Sequence, residues 1–254
     1  MSTIRKIKHY VRNFILLHLP EIVEIGPRGI TLFQDISNYL PTYEAETIFD
    51  VGANVGQSAK QYLQWFPQST VYCFEPASAA FRQLQTSLQG NAEARCFQIA
   101  LGSTKGTGSM VLQGRSLMSF LFDSSKTQEV TSEADFEPVE VETLDNFCRT
   151  NNITSISFLK VDTEGGDLEV LRGAETLLNE HRIDLVEVEV GMNPRNERHV
   201  PFETAKAHLE SKNYFLFGLY EQVHEWPTKA PHLRRANAVF LSERLRKANT
   251  WRKM

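Results

Sequence analysis

The sequence predicts an α/β fold: one open, doubly wound, mostly parallel sheet with helices on both faces. Short apolar runs rich in β-formers alternate with helix-like stretches from Thr47 onward, which calls for a parallel sheet covered on both sides. A glycine-containing turn, "DVGANVG", joins the first such run to the first helix, where sheets of this class hold ligands. The chain has 254 residues with 41% hydrophobic and 23% charged side chains, enough for one large core and unlike a disordered chain.

Residues 1–46 read as an N-terminal extension of helices and connectors, and residues 47–245 as the main domain. "TIFDV" is the first strand, followed by a helix from Gln57 to Phe66 that Pro67 closes. "TVYCFEP" is the second strand, Ala77 to Leu88 the second helix, and "ARCFQIA" the third strand. The alternation then breaks. Residues 102–143 are rich in Gly, Ser and Thr with short β-like pieces, and read as an irregular insertion or lid. "SISFLKVD" resumes as a fourth strand. "GDLEVLRGAETLLNEH" is a helix with Leu168, Leu171, Leu177 and Leu178 at helical intervals. "IDLVEVEV" is a fifth strand and Pro201 to Ser211 a helix. "YFLFGLY" and "NAVFLS" close the sheet as a hairpin-like pair.

A net charge of −4 gives no general reason to expect nucleic acid as a partner. Cys73, Cys96 and Cys148 are scattered without a C-x-x-C pair, so buried thiols in a reducing cytoplasm are expected, not disulfides or zinc. No apolar run reaches the roughly 18 residues needed to span a bilayer. The N-terminal segment is a poor match to a signal peptide, because His18 and Pro20 interrupt its apolar run. Ile4, Ile7, Val11, Phe14 and Ile15 share one helical face, ringed by Arg5, Lys6, Lys8 and Arg12. That helix either docks on the domain or makes peripheral contact with an anionic membrane surface.

The first turn suggests the cofactor. Gly52 and Gly56 let the backbone pass close to a ligand, and Asn54 tolerates an unusual backbone angle. Glu75, 23 residues after Gly52 and just before Pro76, can accept hydrogen bonds from a ribose diol. A nicotinamide dinucleotide would want G-x-G-x-x-G, yet position 54 is Asn and the loop opens on an acid, Asp50, which repels a diphosphate. S-adenosyl-L-methionine fits instead, with a ribose for Glu75 and an ammonium for the acidic strand end. The expected cofactor set is Asp50, Gly52, Ala53, Asn54, Gly56, Ser58, Glu75, Pro76 and Asp162, with Ala100 and Leu101 lining the adenine. A nicotinamide-dependent oxidoreductase and a non-catalytic cofactor-binding module are the rival readings.

"FDVGANVGQ", "FEP", "ALGSTKG", "VETLDNF" and "FLKVDTEGGDLEVLRGA" resemble, in order, the motifs of the FkbM family of methyltransferases, over roughly residues 47–220. Where the family has alanine after the second glycine of the last motif's core, this chain has Gly166. The resemblance implies a seven-stranded class I methyltransferase fold and S-adenosylmethionine-dependent O-methylation of a sugar, glycan or natural-product hydroxyl.

The chemistry then centres on the fourth strand's carboxyl end. Asp162 and Glu164 are placed to act as base or to orient the acceptor; the plainer readings are that Glu164 caps the next helix and Asp162 holds the cofactor or loop. His199, in a polar loop after the fifth strand, is a third candidate base; the plainer reading is a solvated side chain. His224, after the sixth strand, is a weaker case. Glu189 and Arg195 are expected to meet the acceptor, as are Ser116 and Ser119 if the apolar stretch 117–122 forms a lid. Asp162, Glu164 and Glu189 could hold Mg²⁺, but no spacing is diagnostic and no metal is expected. Lys160 shares a side of its strand with Asp162 and is expected to pair with one of these acids.

Overall fold

The computed structural model describes residues 28–41, 43–112, 119–122, 135–196 and 198–249, with backbone only at 111, 112, 119–122, 135 and 136. The basic N-terminal helix, Ser116 and the side chains of the stretch 117–122 fall outside the described residues. Strands β1 (Thr47–Val51), β2 (Thr70–Phe74) and β3 (Ala94–Phe97) alternate with helices α2 (Gln57–Trp65) and α3 (Ser78–Ser87), after an opening helix α1 (Leu32–Tyr39). Further along come β8 (Ile156–Val161), β9 (Ile183–Gly191), β10 (Val200–Pro201), helix α7 (Phe202–Glu210), β11 (Tyr214–His224) and β12 (Leu233–Ser242). Seven of these strands lie in the order β11-β12-β9-β8-β1-β2-β3, and β10 pairs with β9. Strands β3, β2, β1, β8 and β9 run parallel, β12 is antiparallel to β9, and β11 to β12. The seven-stranded, mostly parallel sheet expected from the sequence is present.

The sheet is covered on both faces, which is why its central strands are apolar nearly throughout. Phe49 and Val51 enter one core with Phe74, Leu159 and Val186; Ile48 enters the other with Val71, Phe158 and Leu185. Each such side chain, fully buried, contributes about 1.5–3 kcal/mol. Helix α1, whose N-terminus is capped by Thr31, delivers Leu32 and Ile36 into the second core. Residues ahead of β1 therefore pack as part of the sheet's own cover.

Several elements differ from the sequence reading. The third strand stops at Phe97, and β4 (Ala100–Leu101) turns away to pair with β7 (Asp135–Glu142). Residues 102–143 are not irregular where described. β5 (Gly106–Leu112) and β6 (Ser119–Phe122) join β4 and β7 in a second sheet, ordered β4-β7-β5-β6. Helix α4 (Leu144–Thr150), capped by the Thr143 hydroxyl, follows in the stretch "VETLDNF", where the sequence pattern predicts none. The helix read over 166–181 is two, α5 (Asp167–Arg172) and α6 (Glu175–Asn179). The break sits at Gly173, where a Cβ would meet the Gly102 carbonyl oxygen at 2.0 Å, so the second sheet's first loop packs into the helix. His224 ends β11 instead of following it, and β12 leads into a last helix, α8 (Glu243–Ala248).

Candidate active site

Strand order reverses at β1, which has β2 on one side and β8 on the other, and the loops after these three strands meet there. The Gly52 and Ala53 N–H groups both donate to the Phe74 carbonyl at 3.0 Å. Gly52 has φ +82, and a Cβ there would lie 1.9 Å from the Asp162 carbonyl oxygen. Its Cβ-less backbone thus makes room for the end of β8; the glycine admits the protein's own chain, where the sequence reading has it admit a ligand. Gly56 behaves alike, facing Leu84 of α3 and Leu88 just after it. Asn54 takes the left-handed conformation expected of it, with φ 48.

Glu75 is fixed at the end of β2. Its Oε2 accepts from the Asn54 N–H at 3.0 Å and its Oε1 from the Ala77 N–H at 2.9 Å. Burial raises its carboxyl and those two hydrogen bonds offset part of the rise. Each oxygen keeps a lone pair for a further donor. The Asn54 side-chain oxygen beside it is buried without a partner, an orphan acceptor of the kind a ligand satisfies. Ala53 is buried, Pro76 half-buried, and Ala100 packs with Ala77 and Ala80 beneath the second sheet. Leu101 belongs to the first core. Asp50 is fully buried and faces Lys160 at 3.8 Å. It lies within the sheet, beneath the loop.

The turn after β8 is built by Asp167. One of its oxygens accepts from the Thr163 N–H at 2.8 Å and from its hydroxyl at 3.2 Å; the other accepts from the Gly165 N–H at 3.3 Å. This holds Glu164 at φ 55, a conformation that costs a non-glycine residue of order 1 kcal/mol and is found at functional sites. Helix α5 is preceded by Gly166 without a side-chain cap, so Glu164 is not a capping residue. It lines instead a cavity of about 320 Å³ walled by β8, β9, β11, β12 and α2.

The cavity is polar and charged. Asp162, Glu164, Glu187, Glu189 and Glu221 line it with Lys160 and Arg235, and Ser58, Tyr62 and Trp65 of α2 form one wall. Lys160 donates to Asp162 at 2.9 Å, the pairing expected from the sequence. Burial pushes the Asp162 carboxyl up, but Lys160, with Glu189 and Arg235, brings it below its ordinary value. Glu164 is raised by burial first and by Glu189 next, against the pull of His199 and Arg198. Its Oε2 is buried without a hydrogen bond. Oxygen atoms of Asp162, Glu164 and Glu189 lie within 4.8 Å of one another, and Lys160, Arg235 and His199 already face them.

His199 is buried, which corrects the solvated reading. Its Nε2 lies 2.7 Å from Glu189 and its Nδ1 2.9 Å from the Asn196 side-chain oxygen. Asn196 is oriented by donating to the Arg234 carbonyl at 3.0 Å. Both ring nitrogens thus face acceptors, and the ring braces Glu189 from behind the cavity wall. Arg195 is exposed on the same loop and does not line the cavity. Ser119 is described by its backbone alone, in β6. The sequence reading missed Asp167, Arg235, Asn237 and Tyr62. Arg235 and Asn237 alternate in the otherwise apolar "RRANAVFLS", a period-2 signal of polar groups on one strand face.

The profile of the Methyltransferase FkbM domain matches residues 50–221. The chain belongs to the FkbM methyltransferase family. The match runs from Asp50 through the Glu75 strand end and the Asp162–Asp167 turn to Glu221. The chain is similar to Methyltransferase 1 of Beauveria bassiana, at 31% identity over 66% of this chain and 71% of that protein. It is 24% identical to the hexuronic acid methyltransferase AglP of Haloferax volcanii, over 76% of this chain and 77% of that one. It is 25% identical to the 2-O-methyltransferase NoeI of Sinorhizobium fredii, over 53% of this chain and 60% of that one. As a member of this family the protein is an S-adenosylmethionine-dependent methyltransferase, which sets aside the oxidoreductase and the non-catalytic module. Among the described residues no helix is long and apolar enough to cross a membrane.

Proposed function

We propose that this FkbM-family enzyme transfers a methyl group to a hydroxyl of a sugar or glycan held in the cavity that β8 and β9 help to line. The observation that carries the reading is that cavity: carboxylates Asp162 and Glu164 at the end of the strand beside the Gly52 loop, faced by the aromatic side chains of Tyr62 and Trp65. Carboxylates accept hydrogen bonds from hydroxyls and aromatic faces pack on a ring's C–H edges, the mix of apolar wall and convergent polar groups that a small polar ligand needs. Two relatives support it by name, one a 2-O-methyltransferase and one a hexuronic acid methyltransferase.

When bound, S-adenosylmethionine supplies an electrophilic methyl group on a sulfonium. Glu75, held by the Asn54 and Ala77 N–H groups, takes the ribose hydroxyls. The Gly52–Gly56 loop gives the rest of the molecule a preformed backbone. Asp162, kept ionised by Lys160, orients the acceptor or the donor's ammonium. Glu164 would take the proton of the acceptor hydroxyl as that oxygen receives the methyl group. The choice of Glu164 over Asp162 follows from their surroundings, because a carboxyl raised above its ordinary value is a stronger base than one lowered below it. The test is incubation with S-adenosylmethionine labelled in its methyl group and a panel of simple glycosides, amines and thiols. Labelled methyl ether on a glycoside supports the reading; label found on amines or thiols alone contradicts it.

A further inference from the structure

On the cavity wall that β9, β11 and β12 form, Glu187, Glu221 and Asn237 make a polar group that the transfer step does not use. The Asn237 amide donates to Glu187 at 2.6 Å and to Glu221 at 3.3 Å, and the Tyr62 hydroxyl donates to Glu187 at 3.3 Å. Asn237 is 4% exposed, and its side-chain oxygen is buried without a partner. A buried acceptor left open on a cavity wall lacks a donor that a bound molecule would bring. These side chains come from β9, β11, β12 and α2, so the fold itself converges them on the cavity.

The charge of the cavity restricts what binds there. Five carboxylates line it against two cations. Lys160 is held by Asp162 at 2.9 Å and Asp50 at 3.8 Å, and Arg235 is held by Glu189. Both lining cations among the described residues are therefore already matched by acids. A carboxylate on the acceptor would enter an excess of like charge. An uncharged ring with several hydroxyls would instead donate to Glu187 and Glu221, and one hydroxyl would donate to the open Asn237 oxygen.

Resting on the sugar-hydroxyl reading, we infer that Glu187, Glu221 and Asn237 form an acceptor subsite selective for uncharged polyhydroxy rings over their uronic acid counterparts. Burial, opposed by Lys160 and reinforced by Glu221, pushes the Glu187 carboxyl up to about 7. Near neutrality it therefore serves hydroxyls both as donor and as acceptor.

The experiment uses matched pairs, methyl glucoside against methyl glucuronide and methyl galactoside against methyl galacturonide, with labelled S-adenosylmethionine and the full chain. The expected result is a kcat/KM for the uncharged member at least about tenfold above its uronide. Glu221→Gln, on an exposed position, is expected to narrow that ratio, and Glu187→Gln to lower kcat/KM for the uncharged member by about tenfold. S-adenosylmethionine affinity should be unchanged in both variants, which also reports that they are folded. Preference for the uronides, or a ratio that neither variant moves, would overturn the subsite while leaving the sugar reading standing. No labelled glycoside of any kind, with S-adenosylmethionine bound, would overturn the sugar reading and the subsite with it.

Discussion

Three glycines with the same backbone hand but different surroundings give a graded test of how the donor loop is built. Gly90, Gly56 and Gly52 have φ of +85, +88 and +82. An alanine at any of them bears the left-handed cost of about 1 kcal/mol. At Gly90 nothing lies within 4 Å of the added Cβ, so that is the whole cost. At Gly56 the nearest atoms are the Leu84 Cδ1 at 3.0 Å and the Leu88 Cγ at 3.4 Å, side chains that can give; the total should be about 2 kcal/mol. At Gly52 the neighbour is the Asp162 carbonyl oxygen at 1.9 Å, and contacts under 3.0 Å are essentially never seen, so backbone must part. That seam is tied by the Asp162 N–H to the Val51 carbonyl at 3.0 Å. Gly52→Ala should therefore cost about 4 kcal/mol. At roughly 2–4 °C per kcal/mol for a chain of this size, thermal melts should fall in the order Gly90→Ala, Gly56→Ala, Gly52→Ala, by about 3, 6 and 12 °C. Calorimetry on the same proteins should show donor affinity down at least about tenfold for Gly52→Ala alone, because the loop that receives it has moved. Equal melting points for Gly52→Ala and Gly90→Ala would refute the close approach of the two strand ends.

Glu164→Gln should lower kcat by about 10²–10⁴-fold with donor affinity intact; parallel loss of both, read by single-turnover kinetics beside calorimetry, would make Glu164 a cofactor ligand. Glu187 faces Lys160, Asp162, Tyr62 and Glu221, and its carboxyl is raised from 4.5 to about 7 in the folded chain. The folded state then holds the proton more tightly, so this group's contribution is present below the unfolded value and is lost as pH rises through about 7. Glu187→Gln should thus gain on the parent by about 2 kcal/mol between pH 5 and pH 8 in urea unfolding; a constant or opposite difference would show that the carboxyl is not raised. Asp167→Asn keeps the Thr163 acceptor but loses the one that receives the Gly165 N–H. It should cost about 1–2 kcal/mol and speed amide exchange at Gly165; unaltered exchange there would remove Asp167 as the turn's brace.

What the sequence reveals is what is local. "DVGANVG", "FEP" and "DTEGGD" each mark a strand end within a few residues, so the places of Glu75, Asp162 and Glu164 follow from short stretches of sequence. The reason for Gly52 does not, because the atom it makes room for belongs to Asp162, more than a hundred residues away. The second sheet escapes a sequence reading for the same cause. Pairings such as Gly106 with Val141 and Leu112 with Asp135 are long-range, so the β-like pieces can be read from the sequence but their assembly into one sheet cannot. Gly173 ends a helix whose pattern reads as continuous because Gly102 of that second sheet presses on it. His199 reads as solvated because its partners, Glu189 and Asn196, are chosen by the fold of a loop. Arg235 and Asn237 are open to inference from polar alternation in "RRANAVFLS", yet only the antiparallel register of β12 against β9 sets Asn237 opposite Glu189.

The most direct test of the account is calorimetric titration of the wild-type chain and of Glu75→Ala with S-adenosylmethionine, and separately with NAD and NADP. The account predicts one-site S-adenosylmethionine binding, weakened at least about tenfold when Glu75 is removed, and no heat from either dinucleotide. Dinucleotide binding, or S-adenosylmethionine binding indifferent to Glu75, would contradict the donor site built here from the Gly52 loop and the end of β2.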